Sequence, residues 1–176
     1  AMVQRRLGLH ALVARSAKEI LPYANEIFDL INSTYSDLYG VVPLTKKQIE
    51  YYTKQYFSFI RPDFVSLIVG KDGKLAAFGI TMPSLSLALQ KAKGSLLPFG
   101  FIHILKALKI NKTGDLYLVA IRKELQGKGI NAMLMYELTK SYIKNGIEYA
   151  ESNPELESNL QVQSLWEYYE AVQHKR

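Results

Sequence analysis

The stretch that most constrains this 176-residue chain is residues 116–134. An apolar, β-branched run (Leu116, Leu118, Val119, Ile121) passes through a short charged connection into Gln126-Gly127-Lys128-Gly129-Ile130-Asn131. Directly afterwards Ile130, Met133, Leu134, Leu138 and Tyr142 recur at helical spacing, and Asn145-Gly146 reads as the C-cap. A strand, a glycine-containing turn and a helix N-terminus in that order form an anion site. The glycines let the backbone come close to a ligand, and the amides of the first helical turn have no partners of their own. The pattern points to phosphate without saying which phosphate compound. A turn of the same composition can equally be an ordinary strand-to-helix connection.

Two phosphate motifs are excluded. A P-loop needs four residues between its first Gly and a Gly-Lys-Ser/Thr, whereas Gly127 and Gly129 are one residue apart. The dinucleotide fingerprint needs a third Gly in a unit near the start of a domain, and none stands here. The segment resembles the coenzyme A loop of the GCN5-related N-acetyltransferases (GNAT), whose pattern is Gln/Arg-x-x-Gly-x-Gly/Ala. Gln126, Gly129 and Asn131 fall on the three specified positions, Asn131 being a departure from the small residue usual there.

The rest of the chain is consistent with one soluble domain, 48% apolar and 22% charged. With no Cys, disulfides, thiolate metal sites and a cysteine nucleophile are excluded. His10, His103 and His174 lie too far apart in sequence to suggest metal ligands, and no metal is expected. No apolar run approaches a membrane span, no signal peptide is evident, and a cytoplasmic protein is the expectation. The net charge of +6 comes from lysines spread along the chain, which suits steering of an anionic cofactor better than nucleic acid binding.

Residues 7–14 read as a first strand. Ser16 with Glu19 reads as a capping box opening a helix whose apolar face runs from Ile20 to Ile31 and which ends near Tyr35. Thr45 caps a second helix running to Ile60. Its aromatic residues Tyr51, Tyr52, Tyr56, Phe57 and Phe59 read as a core stripe, a ligand wall being the alternative. Residues 64–69 and 74–82 flank Gly70-Lys71-Asp72-Gly73, a hairpin signal. Residues 83–113 form a leucine-rich, basic insertion with two helical patches, 85–92 and 101–110, of a length often used for lids or binding elements. Residues 147–150 read as another strand, and a last helix carries Val162, Leu165, Trp166 and Tyr169.

This succession implies an α/β (α+β) fold: a mixed, mostly antiparallel central sheet flanked by helices, in one domain over residues 1–176. It resembles the GNAT fold, with the insertion at 83–113 replacing a tight turn. The family's C-terminal strand pair is missing before the chain stops, which suggests part of a longer protein. The resemblance implies acetyl-CoA, or a longer acyl-CoA, as cofactor. Its pyrophosphate would be held by Gln126, Gly127, Lys128, Gly129, Ile130, Asn131 and Ala132, and a strand bulge would place Ile121 beside pantetheine. It also implies an Asn contacting pantetheine, matched by Asn159, and a Tyr seven residues later that protonates the thiolate. Trp166 stands at that position, leaving Tyr168 and Tyr169 as candidates. Glu151 is a candidate base for the acceptor amine, with Asp115, Glu148 and Glu157 as others.

The reading that follows is an acyl-CoA-dependent N-acyltransferase acting on a small-molecule or peptide amine. The alternative is a non-catalytic module of the same fold that binds coenzyme A or a protein partner. The insertion would line the acyl or acceptor side, favouring bulky, apolar substrates, or would contact a membrane surface.

Overall fold

Gly70-Lys71-Asp72-Gly73 closes a hairpin between β2 (Val65–Val69) and β3 (Leu75–Pro83). The turn is held by Gly70 N–H donating to the Lys74 carbonyl at 2.9 Å and by the Asp72 carboxylate accepting from Lys74 N–H at 3.1 Å. The computed structural model describes residues 2–57 and 60–174. Around the hairpin stand β1 (His10–Leu12), β4 (Thr113–Ile121) and β5 (Tyr149–Ser152). They form one open sheet of order β1-β2-β3-β4-β5. Pairing is antiparallel from β1 to β4 and parallel between β4 and β5, the mixed sheet expected from the strand–helix–strand crossover. Among the described residues no strand follows β5.

Helices cover both faces, and every residue of β2 is therefore buried. On one face α2 (Ala17–Ile20) and α3 (Ala24–Tyr35) pack Ile20, Ile27 and Leu30 against Leu67, Phe78 and Ala120. On the other, α7 (Ile130–Lys144) packs Ile130, Met133 and Leu134 against Ile68 and Ala77. The C-terminal end of α7 presses close to β4. A Cβ at Gly114 would lie 2.6 Å from the ring of Tyr142, which joins Phe64, Leu116 and Ile147 in a third cluster.

Several sequence expectations are corrected. Residues 2–7 form helix α1 (Met2–Leu7), and Gly8, at φ +65°, turns the chain before a first strand shorter than expected. The Ser16 side chain makes no cap bond. Instead Glu19 reaches back to the Arg15 N–H and the Ser16 hydroxyl at 3.2 and 3.3 Å. Pro22, which lacks an N–H, tightens that helix into a 3-10 turn at Leu21–Tyr23, and α3 continues it to Tyr35, its expected end. In α4 (Lys46–Tyr56) Thr45 and Gln48 do form a capping box. Its aromatic stripe is not core, however: Tyr51 and Tyr56 are exposed and only Phe57 is buried, while Phe59 lies outside the described residues. β5 starts two residues later than expected, since Ile147 is drawn into the core instead. The last helix is one turn, α8 (Leu160–Gln163), followed by a 3-10 turn at Trp166–Tyr168.

The insertion forms α5 (Ser86–Lys91) and α6 (Gly100–Lys109), as expected. Its neck is closed by Ser84 N–H donating to the Thr113 carbonyl at 2.8 Å and by Asn111 donating to the Ser84 carbonyl at 2.6 Å. Arg61 donates to the Leu108 carbonyl and, at 3.0 Å, to the Asn145 side chain, tying the end of α6 to the end of α7. The insertion thus stands on a fixed base at the start of β4, while the glycine turn lies beyond its end.

Candidate active site

After β4 a 3-10 turn at Lys123–Leu125 leads into the glycine turn. Gly127 and Gly129 are both left-handed, at φ +70° and +82°. Gly129 is the N-cap residue of α7 and offers no side-chain cap, so the amides of Ile130, Asn131 and Ala132 have no intrahelical partners. A diphosphate fits here. Nothing lies within 4 Å of where a Cβ of Gly127 would stand, and amides and helix dipole both favour an anion. Gly127, Lys128, Gly129 and Ala132 are exposed and Asn131 is half-buried. The Ile130 side chain is buried in the core, so only its amide can serve the site. The Gln126 side chain braces the turn, donating to the Ile121 carbonyl at 3.1 Å.

The outer edge of β4 carries the second element. β5 pairs only with Thr113 to Leu116, and the two strands part beyond that point. There β4 holds one extra residue against β3, since Thr81 faces Leu116 and Ile80 faces Leu118, so Tyr117 is a bulge. The Arg122 N–H donates to the Ala76 carbonyl at 3.0 Å. By alternation the amides and carbonyls of Val119 and Ile121 point away from β3, into the gap. Both carbonyls are already taken: Val119 by the Tyr35 hydroxyl at 2.8 Å, Ile121 by Gln126. At the fork Asn153 donates to the Leu116 carbonyl at 2.8 Å. What remains along the gap is a strip of N–H donors, suited to an extended ligand rich in amide carbonyls. Ile121, expected beside such an arm, lies on this edge.

Burial pushes the Tyr35 phenol pKa up, opposed by its bond to Val119, so at neutral pH it stays a hydrogen donor. Replacing Tyr35 with Phe should lower stability in urea titration by about 1 kcal/mol, the worth of one such bond. An unchanged midpoint and slope would show that the bond contributes nothing.

Carboxylates form the third element. Asp115 on β4 stands directly opposite Glu151 on β5 in the parallel register. Gly114 touches Tyr142, and Leu116 shares its cluster, so Asp115 between them faces away from α7. One carboxylate oxygen of Asp115 is buried without a hydrogen-bond partner. Burial pushes this carboxyl above the usual range; hydrogen bonding from Ser84 opposes the shift and the neighbouring Glu151 charge adds to it. His174 Nε2 lies 3.4 Å from the Glu151 carboxylate. A buried acceptor beside a second carboxylate, two residues before the bulge, is placed to hold a cationic amine or take its proton. Behind the strand, the Tyr142 hydroxyl is near Thr81 but lacks a hydrogen bond of normal geometry, and burial pushes its pKa up to about 12.

The C-terminal candidates lie apart from the glycine turn. Trp166 packs against the cluster that includes Leu116 and Tyr142, and its indole donates to Glu155 at 2.8 Å. Tyr169 stacks near it at 6.2 Å, whereas Tyr168 is 85% exposed. Asn159 precedes α8, with its carbonyl accepting from Val162 and Gln163 N–H, each at 3.2 Å. Glu148 pairs with Lys112 at 2.8 Å, and Glu157 is exposed. Asp115 and Ile121 thus lie along β4, with the glycine turn beyond its end and Glu151 opposite Asp115 on β5. Tyr35 and Asn153 escaped the sequence reading; each is a lone polar residue with no motif, and its role depends on contacts with β4.

A five-stranded open mixed sheet that forks at a bulge and leads into an uncapped helix matches the fold of solved acetyltransferases of the GNAT class. The chain belongs to the Acetyltransferase (GNAT) family, whose profile matches residues 24–168. It is 26% identical to Protein YghO of Escherichia coli over 99% of this chain and 45% of that protein. It is also 26% identical to Bacterial ceramide synthase of Caulobacter vibrioides, over 80% of this chain and 38% of that one. The chain thus spans less than half the length of either relative. Among solved structures it resembles diaminobutyrate acetyltransferase EctA from Paenibacillus lautus, in complex with its substrate and coenzyme A. That match has a TM-score of 0.56 at 13% identity, covering 92% of this chain and 74% of the other. No helix among the described residues is long and apolar enough to cross a membrane.

Proposed function

We propose that this chain transfers an acyl group from coenzyme A directly to an amine, with a long apolar body on the acyl chain, the acceptor, or both. The observation that carries this reading is the order of groups along β4: glycine turn, free amides of Val119 and Ile121, bulge at Tyr117, then Asp115 opposite Glu151. The thioester supplies the activated acyl carbon. The amides of Gly127 to Ala132 hold the diphosphate, and the β4 edge holds the arm in line. The fork admits the acyl end, and Asp115 with Glu151 binds the amine and accepts its proton. With no cysteine in the chain, direct transfer is the natural route. Tyr169, which packs beside Trp166, is a better candidate than the more exposed Tyr168 for returning a proton to the thiolate.

The apolar preference is supported by the insertion, which stands beyond the bulge at the acyl end. The resemblance to a protein named as a ceramide synthase points the same way. The test is calorimetric titration with acetyl-CoA and with a long-chain acyl-CoA. The longer chain should bind at least tenfold tighter, since each buried methylene is worth about 0.8 kcal/mol. Equal affinities would remove the apolar preference. No binding of either would favour the non-catalytic alternative.

A further inference from the structure

We infer that the α5–α6 insertion is a docking element for an anionic lipid surface. Its large apolar side chains do not pack inward: α6 contributes no buried residue, and Leu87, Leu96, Leu97, Phe99, Phe101 and Leu105 are all exposed, Leu97 by 78% and Phe99 by 69%. This concentration of apolar surface within one short segment is what soluble proteins generally avoid unless something covers it.

Charge identifies the occupant. Residues 83–113 hold five of the chain's 22 Lys and Arg and none of its 16 Asp and Glu. The remaining 145 residues therefore carry 17 basic and 16 acidic side chains, so almost all of the net charge of +6 sits on the apolar insertion. Residues 1–18 are also basic without an acid, with Arg5, Arg6, Arg15 and Lys18, but among the described residues that stretch lacks the insertion's exposed leucines and phenylalanines. Lys112 is paired with Glu148, but Lys91, Lys93, Lys106 and Lys109 are in no ion pair among the described residues. Aromatic and aliphatic groups next to unneutralised lysines match an interface of acyl chains beneath anionic headgroups. A helix of a partner protein with acidic flanks is a different class of ligand, and the test below separates it.

The exposed groups are also held in place. Ser95 donates to the Leu97 carbonyl at 2.7 Å, Phe101 N–H to the Leu96 carbonyl at 2.9 Å, and Gly94 N–H to the Leu89 carbonyl at 3.2 Å. At Gly100 a Cβ would lie 1.8 Å from the Ser95 carbonyl oxygen, so the loop is folded tightly back on the start of α6. With the neck closed at Ser84 and Asn111, the insertion presents Leu97 and Phe99 as a fixed projection. A membrane surface would bring a lipid amine or acyl donor to the start of β4, where Asp115 stands. Docking itself requires no acyl transfer.

The test is co-sedimentation of the 176-residue chain with phosphatidylcholine vesicles, with and without phosphatidylglycerol, in the absence of any acyl-CoA. Binding is expected only with the anionic lipid and should weaken as salt rises. Lys106→Glu with Lys109→Glu should lower partitioning at least about tenfold, and Leu97→Glu with Phe99→Glu by a similar factor. All four side chains are exposed, so thermal melts should show both variants folded. No binding by the folded chain at low salt would overturn the proposal. So would partitioning indifferent to lipid charge and to the lysine substitutions. A dimer that Leu97→Glu with Phe99→Glu converts to monomer would place a second copy on the patch instead. Because the probe is lipid alone, failure here leaves the acyl-transfer reading untouched, and failure to bind acyl-CoA leaves this one untouched.

Discussion

Gly129→Glu is expected to weaken acetyl-CoA binding at least about 100-fold in calorimetry, with little change in secondary structure. Two effects add. Residue 129 is at φ +82°, where a Glu side chain costs about 1–2 kcal/mol. A carboxylate at the mouth of the α7 N-terminus also occupies the positive end of the dipole and repels the diphosphate. Gly129→Asn separates the two, because Asn tolerates the left-handed region and is uncharged; its loss should be about tenfold or less. If the glutamate variant binds as tightly as the parent, the turn does not hold the phosphates, and the reading of the whole strand fails with it.

Asp115→Asn should lower kcat/KM by about 10²–10⁴-fold, the usual range for removing a general base, while leaving acyl-CoA affinity intact. It should also make the protein more stable. The folded-state pKa of Asp115 is raised above that of an ordinary aspartate, mainly by burial. A carboxyl raised in the folded state stabilises the fold below its unfolded pKa, and that stabilisation is lost as pH rises through the folded pKa. At neutral pH the buried charge is therefore a cost, which Asn removes, and the melting temperature should rise. The gain should shrink as pH falls through the raised pKa of Asp115. In the parent enzyme the acid limb of kcat/KM should lie above the usual carboxylate range, for activity needs the ionised form. Full activity in Asp115→Asn, with loss in Glu151→Gln, would move the base across the fork to β5.

The pairing of lower activity with greater stability distinguishes a functional carboxylate from a structural one. A merely structural Asp115 would lose stability on substitution and give no change in the pH profile. Its unpartnered oxygen suggests the first outcome, since a buried acceptor left unsatisfied is costly unless a ligand completes it.

The sequence by itself determined whatever depends on neighbours along the chain. The β4–turn–α7 unit was legible because Gly127 and Gly129 are needed locally for left-handed backbone, and because apolar spacing changes period across them. The hairpin at Gly70-Lys71-Asp72-Gly73, the Thr45 cap, and the two-helix insertion were legible for the same reason. One local signal misled: Ser16 and Glu19 spelled a capping box, but the Ser16 side chain makes no cap bond, although the helix itself runs to Tyr35. Only the tertiary structure decided the site. Which side of β4 stays open depends on β5 ending its pairing at Leu116, and the bulge at Tyr117 exists only relative to β3. Asp115 meets Glu151 across 36 residues of sequence, Tyr35 reaches Val119 across 84, and both meetings depend on how helices and strands stack. The exposure of the insertion belongs there too: leucines at helical spacing spell burial in any sequence, and only packing shows that here they were left facing out.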